Sequence, residues 1–245
     1  MKRIIVLTFA ALLQVIGLSV FSSVAWDLSR LPQIGDLRKR NPATTALMAQ
    51  RAAEARAKGK QFRPVQLFVP YGSISPHLKR AVLIAEDAGF FLHSGVDYEE
   101  LTEAFKADWK KKRWARGAST ITMQLAKNLY LSNRKTLARK FSEFIIARRM
   151  DEELSKTRIL ELYFNYIEWG DGTFGCQAAS RLYFNASALD LTPEQAIRLA
   201  AIIVNPRRYN PFSDTKRMQN RRRWIAERML AAKFLTPEQR QTLPF

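Results

Sequence analysis

The stretch Arg116 to Tyr130, RGASTITMQLAKNLY, decides how this chain is read. Gly117 suits a turn, and the hydroxyls that follow it can cap a helix start. From Ile121 onward, Leu125 and Leu129 recur every four residues, so one helical face is apolar. Gln124, Lys127 and Asn128 fall together on a different face, at spacings of three and four. Amides and lysines are costly to bury without partners. A polar face this dense is therefore either a binding site or an ordinary solvated face, and its surroundings must decide.

Outward from this segment, the helix signals are frequent. Ser75-Pro76 predicts an N-cap with Pro at the first helical position, opening a helix to about Asp87. Asp97 and Glu100 have capping-box spacing, and two LTPEQ segments, at 191–195 and 235–239, repeat the same start signal. Further helices are predicted over 44–58, 120–131, 136–150 and 156–168. No strand-like alternation is convincing, so the fold class is mainly α.

The N-terminus carries a second strong signal. After Lys2 and Arg3, the 23 positions from 4 to 26 contain no charged residue, and about 20 apolar residues span a bilayer core. Lys2 and Arg3 before the run and Asp27 after it favour a cytoplasmic N-terminus. Ser23-Val24-Ala25 also fits a signal-peptide cleavage site, but the run exceeds the roughly 7–15 residues of a signal core, which favours an uncleaved anchor. Either reading places the rest of the chain outside the cytoplasmic membrane.

That placement reinterprets a net charge of +18, which would otherwise point to nucleic acid. Residues 38–63 carry Arg38, Lys39, Arg40, Arg51, Arg56, Lys58, Lys60 and Arg63 against Glu54 alone. Residues 106–116 interleave six cations with Trp109 and Trp114, the composition of a membrane–water interface, although a solvated basic helix end has the same composition. A single cysteine, Cys176, and two histidines exclude an intramolecular disulfide and argue against a zinc site. Gly170 to Gly175 is formally GxGxxG, but the dinucleotide reading needs a preceding strand and a βαβ unit, and helix is predicted before it.

In order and spacing, five segments resemble the monofunctional peptidoglycan glycosyltransferases, the lysozyme-like membrane enzymes of glycosyltransferase family 51. They are E-D-x-x-F-x-x-H-x-G at 86–95, G-x-S-T-I-T-x-Q-L-x-K-N at 117–128, R-K-x-x-E-x-x-x-A at 139–147, K-x-x-I-L-x-x-Y-x-N at 156–165 and the glycine-rich 170–175. The resemblance covers about residues 67–212. It implies residues 1–3 in the cytoplasm, an anchor at 4–26, a basic stem at 27–66, the glycosyltransferase domain at 67–212 and a basic helical extension at 213–245. The 34 residues after Pro211 are too few for a transpeptidase domain, so no transpeptidase activity is expected.

The implied reaction polymerises lipid II into β-1,4-linked glycan strands with inversion, releasing undecaprenyl pyrophosphate, in cell-wall biogenesis at the outer (periplasmic) face of the inner membrane. By this resemblance Glu86 is the general base and Glu143 the second essential carboxylate. Ser119, Thr120, Gln124, Lys127, Asn128, Arg134, Lys135, Arg139 and Lys140 match positions that bind donor or pyrophosphate. Trp109 and Trp114 are expected at the membrane, and Tyr163 and Asn165 in structural roles. No cofactor is obligatory, though a divalent cation (Mg2+ or Mn2+) would be compatible with the pyrophosphate. Expected partners are lipid II, the nascent strand, the membrane and other wall synthases or division proteins, with no nucleic acid.

Three departures from the family pattern stand out: Met123 where relatives carry Gln, Lys135 where they carry Arg, and Ala88-Gly89 where many carry cations. Two rivals remain. A lytic enzyme would need a protonated catalytic Glu and no basic pyrophosphate site; a catalytically silent scaffold would need none of these residues.

Overall fold

The computed structural model describes residues 2–29, 33–103, 119–131 and 136–245. Its helices are α1 (Lys2–Ser29), α2 (Ala46–Ala57), α3 (Pro76–Glu86), α4 (Ile121–Tyr130), α5 (Leu137–Glu153), α6 (Lys156–Tyr166), α7 (Cys176–Phe184), α8 (Pro193–Ile202), α9 (Lys216–Ala231) and α10 (Pro237–Gln241). Residues 98 to 103 are also helical and follow Asp97, whose side chain accepts from the Glu100 amide.

Local chemistry accounts for where the helices begin. Ser75 accepts from the His77 amide ahead of Pro76. Thr120, Thr136 and Ser155 cap α4, α5 and α6 in the same way. Both LTPEQ segments form complete capping boxes, Thr192 with Gln195 and Thr236 with Gln239.

The core runs through the middle of this bundle. Helix α4 packs against α2, α5 and α6, while α3 packs against α8 and α9. Ile121, Leu125, Ile146, Ile159, Leu160, Leu78, Val82, Ile197 and Ile225 are fully enclosed. Phe164 stacks on Trp169 at 6.4 Å between ring centres.

Three differences from the sequence reading have physical causes. The expected stem at 27–66 is in large part built into the domain. Leu47 and Met48 join the core, and Arg51 bonds the buried Glu168 carboxylate at 2.7–3.2 Å. The preceding segment is pinned as well, since Arg158 donates to the carbonyls of Leu37 and Arg40. The expected C-terminal extension is likewise part of the fold: α9 buries Met218, Ile225 and Met229 against α3 and α8.

The third difference is a small sheet in the order β1-β3-β2, formed by β1 (Val65–Gln66), β2 (Glu168–Gly170) and β3 (Thr173–Phe174). Strands of two and three residues are too short to show alternation. Gly172, at φ +74°, turns between β2 and β3, so the GxGxxG segment is a hairpin rather than a nucleotide loop.

Helix α1 contains Val6–Trp26, 21 residues of mean hydropathy 1.9, long and apolar enough to cross a membrane. Its apolar side chains, among them Leu7, Phe9, Val15, Leu18 and Phe21, face outward.

Candidate active site

Glu86 is the last residue of α3, and it sits where α3, α4, α6 and α9 converge. Its side chain is 11% exposed. Gln124 on α4 donates from Nε2 to Glu86 Oε2 at 2.9 Å, and the Gln124 Oε1 in turn accepts from the Tyr163 hydroxyl at 2.9 Å. On the other side, Arg221 Nη2 donates to Glu86 Oε1 at 2.6 Å.

These contacts set the acidity of the carboxyl group. Burial pushes its pKa up; Arg221, the Gln124 amide and the Lys127 charge pull it back, and the net direction is upward. A carboxylate more basic than usual, yet held in hydrogen bonds through both oxygens, is suited to take a proton from a hydroxyl.

Asp87, the next residue, does different work. It is buried, accepts from the Ile121 amide at 2.9 Å and contacts His93 Nε2 at 3.0 Å. It thereby fastens the end of α3 to the start of α4. Lys156 completes this junction by donating to the His93 carbonyl and to Asp151 at 2.7 Å while lying over the Phe90 ring.

A cation cluster lies beside Glu86. Glu143 on α5 is buried and pairs with Arg139 one turn earlier; Lys140 Nζ lies 3.0 Å from its other oxygen. Lys140 also donates to Ser119 Oγ at 2.6 Å. Lys127 makes no salt bridge among the described residues. Burial lowers its pKa, with repulsion from Arg139 and Lys140 adding to the effect and Glu143 and Glu86 opposing it. Among the described residues, three cations around one buried carboxylate leave this cluster short of negative charge.

The structure thus brings together Glu86, Ser119, Gln124, Lys127, Arg139, Lys140 and Glu143. Thr120 lies at the same place, but its hydroxyl is committed within the protein: it donates to the Gly95 carbonyl at 2.6 Å and accepts from the Met123 amide. It holds the start of α4 rather than reaching a ligand. Asn128 is buried on α4. Arg134, Lys135, Trp109 and Trp114 lie outside the described residues. Asn165 is structural, bonding both the amide and the carbonyl of Val69.

Met123 is fully buried in the core, so its thioether does not face the site; Gln124 alone makes the amide contact. Asp87 and Arg221 are the site residues that sequence reasoning did not assign. The Glu-Asp dipeptide was a signal for the first, but nothing marked the second, 135 positions from its partner.

The transglycosylase family model matches residues 54–230. The chain belongs to the transglycosylase family. Its relatives in the family include biosynthetic peptidoglycan transglycosylases from several bacteria. That of Dechloromonas aromatica is 46% identical over 192 residues, 78% of this chain and 83% of the relative. That of Nitrosomonas europaea is 47% identical over 196 residues, 80% of each chain. That of Chromobacterium violaceum is 38% identical over 218 residues, 89% of this chain and 96% of the relative. The family match begins in the last turn of α2 and takes in nearly all of α9, so it extends past 67–212 at both ends.

Proposed function

We propose that this transglycosylase polymerises lipid II into β-1,4-linked glycan strands during peptidoglycan synthesis. The observation that carries the reading is the pairing of one enclosed, proton-accepting carboxylate with a cluster of three cations. A base and an anion clamp side by side are what transfer from a sugar pyrophosphate requires.

In the reaction, a Glu86 oxygen takes the proton from the acceptor sugar's 4-hydroxyl. The freed oxygen attacks the anomeric carbon of the donor from the face opposite the pyrophosphate. The carbon–oxygen bond to the pyrophosphate breaks, the configuration inverts, and undecaprenyl pyrophosphate leaves with the electron pair. A positioned base supplies roughly 10²–10⁴-fold; orientation of the two sugars and charge stabilisation supply the remainder. Lys127, Arg139 and Lys140 take up the charge that develops on the leaving group. Arg139 presents a planar fork suited to phosphate oxygens, and Glu143 keeps Arg139 and Lys140 in place.

The described residues form no group of three or more His, Cys, Asp or Glu side chains able to hold a metal. Both Glu143 oxygens already face cations. This donor set does not fit a divalent ion held by protein ligands alone; a Mg2+ or Mn2+ carried on the pyrophosphate is compatible with it.

The substrate's lipid tail demands a membrane-bound enzyme. Helix α1 supplies the anchor, and Lys2 and Arg3 ahead of it favour a single pass with the catalytic domain on the outer face. Phe91 and Leu92 after Glu86, and Leu137 and Phe141 on the helix of Arg139 and Lys140, are exposed apolar side chains suited to the bilayer surface.

The test is incubation of the solubilised full-length protein with labelled lipid II and, separately, with preformed glycan. Polymer that a muramidase digests is the expected product. Fragmentation of preformed glycan would make the protein a lytic enzyme. Retention of lipid II without any conversion would make it a scaffold.

A further inference from the structure

We propose that Arg221, on helix α9, is a positioning residue for the glycosyl transfer, holding the Glu86 carboxylate ionised and aimed at the acceptor hydroxyl. The proposal rests on the reading of Glu86 as the base. It makes the segment beyond the five sequence motifs part of the catalytic apparatus.

Arg221 stands in a run of three arginines that take different directions. Arg222 is buried and donates to the carbonyls of Pro211 and Ser213. Arg223 is exposed. Arg221 lies between Met218 and Ile225, which are enclosed against the bundle, so its stem runs along the packed edge of α9. Its Nε donates to the Ala201 carbonyl at 3.1 Å and its Nη2 to Glu86 Oε1 at 2.6 Å. One guanidinium therefore ties the last turn of α8 to the last residue of α3.

Both helix ends need a cation. The final carbonyls of a helix lack partners and carry partial negative charge, which disfavours an anion at that end. Glu86 is an anion in that position, and it is also enclosed. Among the described residues, the groups facing it are Arg221 from α9, Gln124 and Lys127 from α4, and Tyr163 from α6 through Gln124; Asp87 is turned towards His93 and the Ile121 amide. Of these two described cations, Arg221 is in direct contact. Occupying one lone pair of Oε1 while Gln124 occupies one of Oε2 leaves the remaining lone pairs for the incoming proton. An ammonium cannot bond Ala201 and Glu86 with the same planar spacing, so lysine would keep the charge and lose the aim.

The experiment compares initial rates on lipid II from acid to alkaline pH for the full-length wild type, Arg221→Gln and Arg221→Lys, with Glu86→Gln as the background. Removing an adjacent opposite charge raises a carboxyl pKa by about 1–3 units. The acidic limb of kcat/KM should therefore move to higher pH by about that amount in Arg221→Gln. In Arg221→Lys the limb should move less while turnover still falls. A limb at the wild-type position with an equal loss at every pH would show a merely structural role and overturn the proposal, as would full activity in Arg221→Gln. Thermal melts check the fold of both variants. If Arg221→Gln does not fold, Arg221→Lys decides: an unshifted limb with unchanged turnover overturns the proposal. A wild type that converts no lipid II at any pH would instead sink the reading of Glu86 beneath it.

Discussion

Replacing Tyr163 by Phe removes one hydroxyl and nothing else, yet it should reach the reaction centre. The hydroxyl is fully buried and donates to Gln124 Oε1, and this contact fixes which end of the Gln124 amide faces Glu86. Without it, the partly buried Oε1 loses its partner, which costs up to about 1–3 kcal/mol. For a domain of this size, each kcal/mol lowers Tm by about 2–4 °C. The amide is also released to rotate, which would withdraw the donor that helps keep Glu86 ionised. Turnover should fall together with stability. The assay is a double-mutant cycle of Tyr163→Phe and Gln124→Met, read both by thermal unfolding and by the initial rate on lipid II. Coupled groups show an interaction of about 0.5–3 kcal/mol, whereas independent ones add within about 0.3–0.5. Additive effects in both readouts, or a Tyr163→Phe protein indistinguishable from wild type, would refute the relay.

Three further outcomes are expected. Because the folded pKa of Glu86 lies above its ordinary 4.5, the folded state holds that proton more tightly than the unfolded chain does. Its contribution to stability is fully present below the ordinary value and is lost as pH rises through the raised one. Glu86→Gln should therefore melt no lower than wild type at neutral pH; a clear drop in Tm would contradict this. Lys127→Met removes a charge whose pKa burial lowers, so it should leave Tm unchanged or higher while turnover falls about 10²–10³-fold, the scale of losing one electrostatic contact to the transition state. Arg51→Met strands the buried Glu168 carboxylate, which costs about 3–5 kcal/mol. Differential scanning calorimetry should show a fall in Tm of roughly 6–20 °C, and no change would mean that the 46–66 segment is not locked into the domain.

What the sequence showed plainly was local. The Ser75-Pro76 and LTPEQ starts depend on side chains within three positions of the amides they cap, and each stands where its spacing predicted. Helical spacing groups Gln124, Lys127 and Asn128 within one segment, but only the family resemblance joined them to Ser119, Arg139, Lys140 and Glu143, because those contacts are made between helices. Arg221 was not legible, because its partner is brought near only by the packing of α9 on α3. The stem was misjudged for a related reason. The surplus of cations over 38–63 says nothing about burial, and nothing local shows that Arg51 turns inward to Glu168 or that β1 pairs with β3. The effect of Met123, a departure from the family pattern, was open in the sequence; the side chain is buried in the core.

The central claim is that Glu86 is the base of a glycan-forming transfer, and the most direct measurement is the initial rate of lipid II polymerisation by Glu86→Gln beside wild type. The amide keeps the size of the side chain but cannot accept the proton, so the rate should fall by about 10²–10⁴-fold with lipid II still bound. Polymerisation by Glu86→Gln at the wild-type rate would contradict the account.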